Sequence, residues 1–160
     1  MSQIKDIFGT GVDLNETGSR LVISSMLASG NSNTQSKSGE VMLIKFDDDA
    51  FSSGEIYGIV GSGYGASNLD IDDQLDDNDQ FGRGISLDRD GDRMAVTSTL
   101  DDGGGTSTNA GAVYLFTFDD TIILPLTCND ASGLLKSTPI AIPPNIPPIT
   151  PVPVLSDILL

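Results

Sequence analysis

The chain has 160 residues, with 23 acidic side chains against 8 basic ones and a net charge of −15. It contains no histidine and one cysteine, Cys128, which excludes histidine-based catalytic triads, histidine-ligated zinc and an internal disulfide. The charge also argues against nucleic acid, whose phosphates need neutralising cations, and against insertion into or attraction to an anionic membrane.

The acids are 20 Asp and only 3 Glu, alongside 18 Gly. Glu favours helices, whereas Asp competes for backbone hydrogen bonds and favours turns. Short strands joined by polar turns are therefore expected. Thr10 to Leu14 alternates in polarity, turns at Asn15 to Ser19 and returns as Arg20 to Ser24, a hairpin pattern. A polar loop from Ser29 to Ser38 leads to a third strand, Val41 to Phe46, and a fourth, about Glu55 to Val60. Gly61 to Gln80 is turn-rich and carries six Asp within Asp70 to Asp79, a pattern that reads as a solvated acidic loop, with weak divalent-cation binding as the alternative.

The elements then recur. Phe8-Gly9-Thr10-Gly11-Val12-Asp13-Leu14 returns 73 residues later as Phe81-Gly82-Arg83-Gly84-Ile85-Ser86-Leu87. Gly39 to Asp48 returns 72 residues later as Gly111 to Asp120, and 14 of 32 aligned positions are identical. The second copy has its turn at Asp88-Arg89-Asp90-Gly91-Asp92, its return strand at Arg93 to Thr97, its loop at Asp101 to Asn109 and its third strand at Val113 to Phe118. Val41, Leu43, Val113, Tyr114, Leu115, Phe116 and Phe118 read as core positions. Thr121 to Thr127 is a candidate fourth strand. From Pro139 to Pro153 there are seven prolines in fifteen residues, which favours an extended tail.

These readings give an all-β fold: two tandem four-stranded antiparallel sheets, propeller-blade-like and short of a closed propeller, with a Pro-rich C-terminal tail. The expected divisions are a first blade at 1–64, an acidic linker at 65–80, a second blade at 81–135 and the tail at 136–160. Two blades leave sheet edges open, so further repeats or self-association are expected to cover them.

The Phe-Gly strand entry, the Asp/Gly hairpin turn, the polar loop and Gly111-Ala112-Val113-Tyr114-Leu115-Phe116 resemble the FG-GAP repeats of integrin α-subunit-like β-propellers, closest to the bacterial surface or secreted type. The resemblance covers about residues 8–120. Ser24-Ser25-Met26 and Thr97-Ser98-Thr99 stand where the family has Gly-Ala-Pro. It implies a noncatalytic extracellular or cell-surface module that binds a protein or matrix ligand, often with calcium. The start of the chain lacks an apolar secretory stretch, and no run of about 18 apolar residues occurs. Pro151 to Leu160 faintly resembles the beginning of a bacterial C-terminal sorting signal.

Asp88, Asp90 and Asp92 alternate on a tight loop as calcium ligands do. Gly91 falls between the second and third acids, however, and Arg93 follows where a calcium loop would place its glycine. The other reading is a plain hairpin turn. A structural spacer with weak calcium binding is the second functional reading. A carboxylate-based hydrolase is the third, although no nucleophile–base constellation is identifiable without histidine.

Overall fold

The computed structural model describes residues 6–65, 68–103 and 108–118, together with the backbone of 123–129 and 135–136. Apart from Lys136, the Pro-rich tail lies outside the described residues, and with it the likeness to a sorting signal.

The first sheet contains β1 (Phe8–Leu14), β2 (Arg20–Ser25), β3 (Glu40–Lys45), β4 (Glu55–Gly61) and β5 (Leu69–Asp70), in that spatial order. The second contains β6 (Phe81–Leu87), β7 (Arg93–Ser98), β8 (Ala112–Phe118), β9 (Ile123–Asn129) and β10 (Leu135–Lys136), again in sequence order from one edge to the other. Each sheet thus has five strands where four were expected. The additional ones are two residues long: β5 joins β4 in parallel, and β10 joins β9 antiparallel. β5 forms because Leu69 is drawn into the core and brings its backbone alongside Val60.

The two sheets repeat each other down to their irregularities. The β1–β2 register shifts between Phe8 and Val12, and the β6–β7 register shifts between Phe81 and Gly84. The β3–β4 ladder shifts at Leu43/Ile44, and the β8–β9 ladder at Leu115/Phe116. A bulge re-aims the strand that carries it, and the two sheets carry theirs at matching places in the repeat.

One core lies between them. The first sheet contributes Val22, Val41, Leu43 and Val60; the second contributes Phe81, Met94, Val96, Tyr114 and Phe116. Phe81 meets Tyr114 edge-on at 5.2 Å and Phe116 at 6.1 Å between ring centres, a favourable aromatic arrangement. Ile71 and Leu75, from the segment expected to act as a linker, are each 1 % exposed and belong to this core. The linker therefore packs as well as connects.

Burial parity reverses between the copies. On β3, Val41 and Leu43 face the core; on β8, their counterparts Val113 and Leu115 are 42 % and 39 % exposed, while Tyr114 and Phe116 are buried. This corrects the expectation that Val113 and Leu115 are core residues. Residues two apart share a face of a strand, and the second sheet presents to the core the face opposite to the one the first presents.

Candidate binding surface at the loop end

Antiparallel pairing sends the turns 15–19 and 88–92 to one end of the stacked sheets, and the loop 26–39 and the described parts of the loops 62–80 and 99–111 to the other. At the turn end, Asp88 Oδ1 accepts backbone N–H bonds from Gly91, Asp92 and Arg93 at 2.9, 3.0 and 3.1 Å. Burial pushes its carboxyl up, but these donors outweigh that and hold it below the usual carboxylate range. Asp92 is 3.7 Å from the Arg93 guanidinium, and the Asp90 carbonyl accepts from Asn15 Nδ2 at 3.4 Å. Asp88 is thus placed as a turn cap. Among the described residues, no three acidic or cysteine side chains gather as a metal site would need, and this trio does not.

The same end joins the two sheets. Asp13 Oδ2 accepts the Leu87 N–H at 2.7 Å, Glu16 N–H donates to the Arg89 carbonyl at 3.0 Å, and Arg20 Nη1 donates to the Gly91 carbonyl at 3.2 Å. Glu16 and Arg89 form an exposed ion pair.

At the opposite end, the acidic residues are turn-builders first. Asp77 Oδ1 accepts from Ser36 N–H at 2.7 Å, Asp70 Oδ1 from Gly63 and Asp72 N–H at 2.8 and 3.0 Å, and Asp102 Oδ1 from Asn109 N–H at 2.6 Å. Backbone bonds run from Asn78 N–H to Ser36 O and from Gln80 N–H to Lys37 O, at 2.8 and 3.1 Å. They knit the 26–39 loop to the acidic segment. Asp101 Oδ2 accepts the Tyr114 hydroxyl at 2.5 Å. Asp79 departs from the solvated reading of this run: it is 3 % exposed. Its Oδ2 accepts the Asp76 N–H at 2.7 Å. Burial, reinforced by the charges of Asp101, Asp76 and Asp102, pushes its carboxyl up to about 6 against the opposing Asp76 bond.

Several acids remain at the surface around this scaffold: Asp70, Asp72, Asp73, Asp76 and Asp77 are all exposed. The structure therefore displays a negatively charged loop platform at one end of a packed pair of sheets. Sequence reading located the acids but not the division of labour between buried Asp79 and its exposed neighbours. The available signal was Ile71 and Leu75, whose apolar side chains within the acidic run require part of it to turn inward.

With this geometry in view, residues 72–116 match the family model of the FG-GAP repeat. The chain carries an FG-GAP repeat. The matched stretch runs from the acidic segment through β6, the Asp88 turn and β7 to the middle of β8. No curated protein matches the chain. The first sheet, outside the FG-GAP match, reproduces its strand order and bulges, so the β-propeller-like unit is present twice in structure. No helix among the described residues is long and apolar enough to cross a membrane.

Proposed function

We propose that the chain is a noncatalytic binding module of a larger surface or secreted protein, and that the exposed loop platform recognises a basic protein or matrix ligand. The observation that carries this reading is the FG-GAP repeat, whose loops here form a braced acidic surface. FG-GAP repeats are generally binding or structural modules. The platform's charge selects a cationic partner and accelerates its encounter.

The test is biolayer interferometry of the immobilised chain against a panel of basic extracellular-matrix proteins. The variant Asp73→Asn/Asp76→Asn/Asp77→Asn serves as comparison. The module reading expects at least one ligand whose affinity falls tenfold or more in the variant. Binding that is absent across the panel, or unchanged by the three substitutions, returns the repeats to a spacer role.

A further inference from the structure

Each sheet has two apolar faces, and the described residues cover one face of each. The covered pair are different faces of the repeat. Val41 and Leu43 of the first sheet are fully buried by the second. Their counterparts Val113 and Leu115 lie on the second sheet's uncovered face. Conversely, Phe81 is fully buried against the first sheet, whereas its counterpart Phe8 is 61 % exposed. Tyr114 and Phe116 are buried, and their counterparts Met42 and Ile44 are only partly covered. The two free faces are thus the two halves of the interface the molecule already contains.

We propose that a second copy of this chain docks head to tail, the free face of the second sheet in one copy covering the free face of the first sheet in the next. The fine contacts of the internal interface have matching positions on the free faces. Gly39 sits where the Phe81 backbone passes, so close that a Cβ would lie 2.1 Å from the Phe81 carbonyl. Gly111, its counterpart, keeps the positive φ of +79° but among the described residues meets nothing closer than the Thr99 carbonyl at 3.5 Å, which leaves room for Phe8 of the next copy. Gly82 packs on Ser24, with 2.7 Å from its Cβ position to the Ser24 Cβ. Gly9, its counterpart, has nothing within 4 Å. Arg20 reaches the Gly91 carbonyl across the internal interface. Arg93, at the same place in the second copy, is exposed and positioned to reach the Gly18 carbonyl of the next molecule.

Charge agrees with this geometry. Glu16 and Arg89 occupy equivalent positions, 73 residues apart, and pair across the internal interface. A head-to-tail contact therefore brings Arg89 of one copy against Glu16 of the next, with opposite signs again. Such a contact uses two different surfaces, so it closes into a ring or propagates. Two to four copies would bring the four to eight sheets of a closed propeller.

The test is sedimentation equilibrium of the full chain and of two double variants, Phe8→Glu/Val12→Glu and Val113→Glu/Leu115→Glu, with circular dichroism to verify their folds. Wild type is expected above monomer mass at 100 µM. Each variant alone is expected to be monomeric, because each retains only one competent face. An equimolar mixture of the two is expected to form a dimer through the surviving pair of faces. If either glutamate variant fails to fold, Phe8→Ser and Leu115→Ser replace them with the same readout. Monomeric wild type, whether its faces stay bare or are covered by another part of the chain, overturns the proposal. So do variants that still self-associate, or a mixture that stays monomeric.

Discussion

At the scale of single residues, two aspartates with similar sequence surroundings are pushed in opposite directions. Asp88 gathers three backbone N–H groups and is stabilised as the anion. A lowered folded-state pKa contributes stability above the unfolded value of about 3.9, which is lost as the pH falls through the folded value. Asp79 is the reverse case. Its carboxyl holds its proton up to about pH 6 when folded, so between about pH 4 and 6 the folded protein binds more protons than the unfolded chain. Stability contributed by Asp79 is then full at low pH and falls as the pH rises through that window. Asp79→Asn keeps an oxygen to accept the Asp76 N–H and removes the charge. The variant is expected to be more stable than wild type at pH 7.5 by roughly 1–3 kcal/mol, since each pKa unit is worth about 1.4 kcal/mol. Its stability should also be flatter between pH 4 and 6. Urea unfolding at four pH values measures both, and parallel curves for the two proteins would contradict the assignment. Asp79 was not separable from its neighbours in the sequence, where it is one of six acids in ten residues. What distinguishes it is the approach of Ser98, whose hydroxyl donates to its carbonyl at 2.9 Å, and of Asp101, both brought in by the second sheet.

Among the elements, the hairpins and third strands were legible because apolar alternation and Gly-containing turns are local signals. Duplication then made them doubly so: the strand expected over Thr10 to Leu14 lies within β1, which begins two residues earlier at Phe8, and the repeated block Phe81 to Leu87 is β6. The short strand at Leu69–Asp70 was not legible. Two residues carry no periodicity, and Leu69 is held by tertiary burial rather than local preference. Nor could alternation tell which face of β8 points inward: both parities are apolar there, and only the neighbouring sheet decides. This asymmetry makes equivalent glycines inequivalent in energy. Gly39→Ala places a methyl 2.1 Å from the Phe81 carbonyl at φ +92°, so β6 must shift. A loss of roughly 3 kcal/mol or more is expected from strain and disturbed packing together. Gly111→Ala at φ +79° meets nothing closer than the Thr99 carbonyl at 3.5 Å. Its expected loss is about 1 kcal/mol, the cost of a left-handed conformation alone. Thermal unfolding of the two single variants checks the contrast, and equal losses would contradict the packing of β6 against Gly39.

For the whole molecule, the balance of charge and apolar surface sets how copies meet. A net charge of −15 on each copy opposes their approach over distances comparable to the Debye length, about 30 Å at 0.01 M salt and about 3 Å at 1 M. The Glu16–Arg89 contact between copies acts the other way, but an exposed pair of this kind is worth about 1 kcal/mol at most. The free faces, built around residues such as Phe8, Val12, Val113 and Leu115, associate through burial of apolar area, which salt does not screen. Repulsion is therefore the component that salt weakens most. Self-association of the full chain is expected to tighten about tenfold or more between 0.02 and 0.5 M sodium chloride, a change of about 1.4 kcal/mol. Gly111→Ala is expected to lower association at both salt concentrations, because its added methyl occupies the path of the incoming Phe8 backbone while leaving each copy folded. Sedimentation equilibrium at the two salt concentrations reads both effects. Association that weakens as salt rises would mean that charge pairs hold the copies together, and indifference to Gly111→Ala would place the contact somewhere other than these two faces.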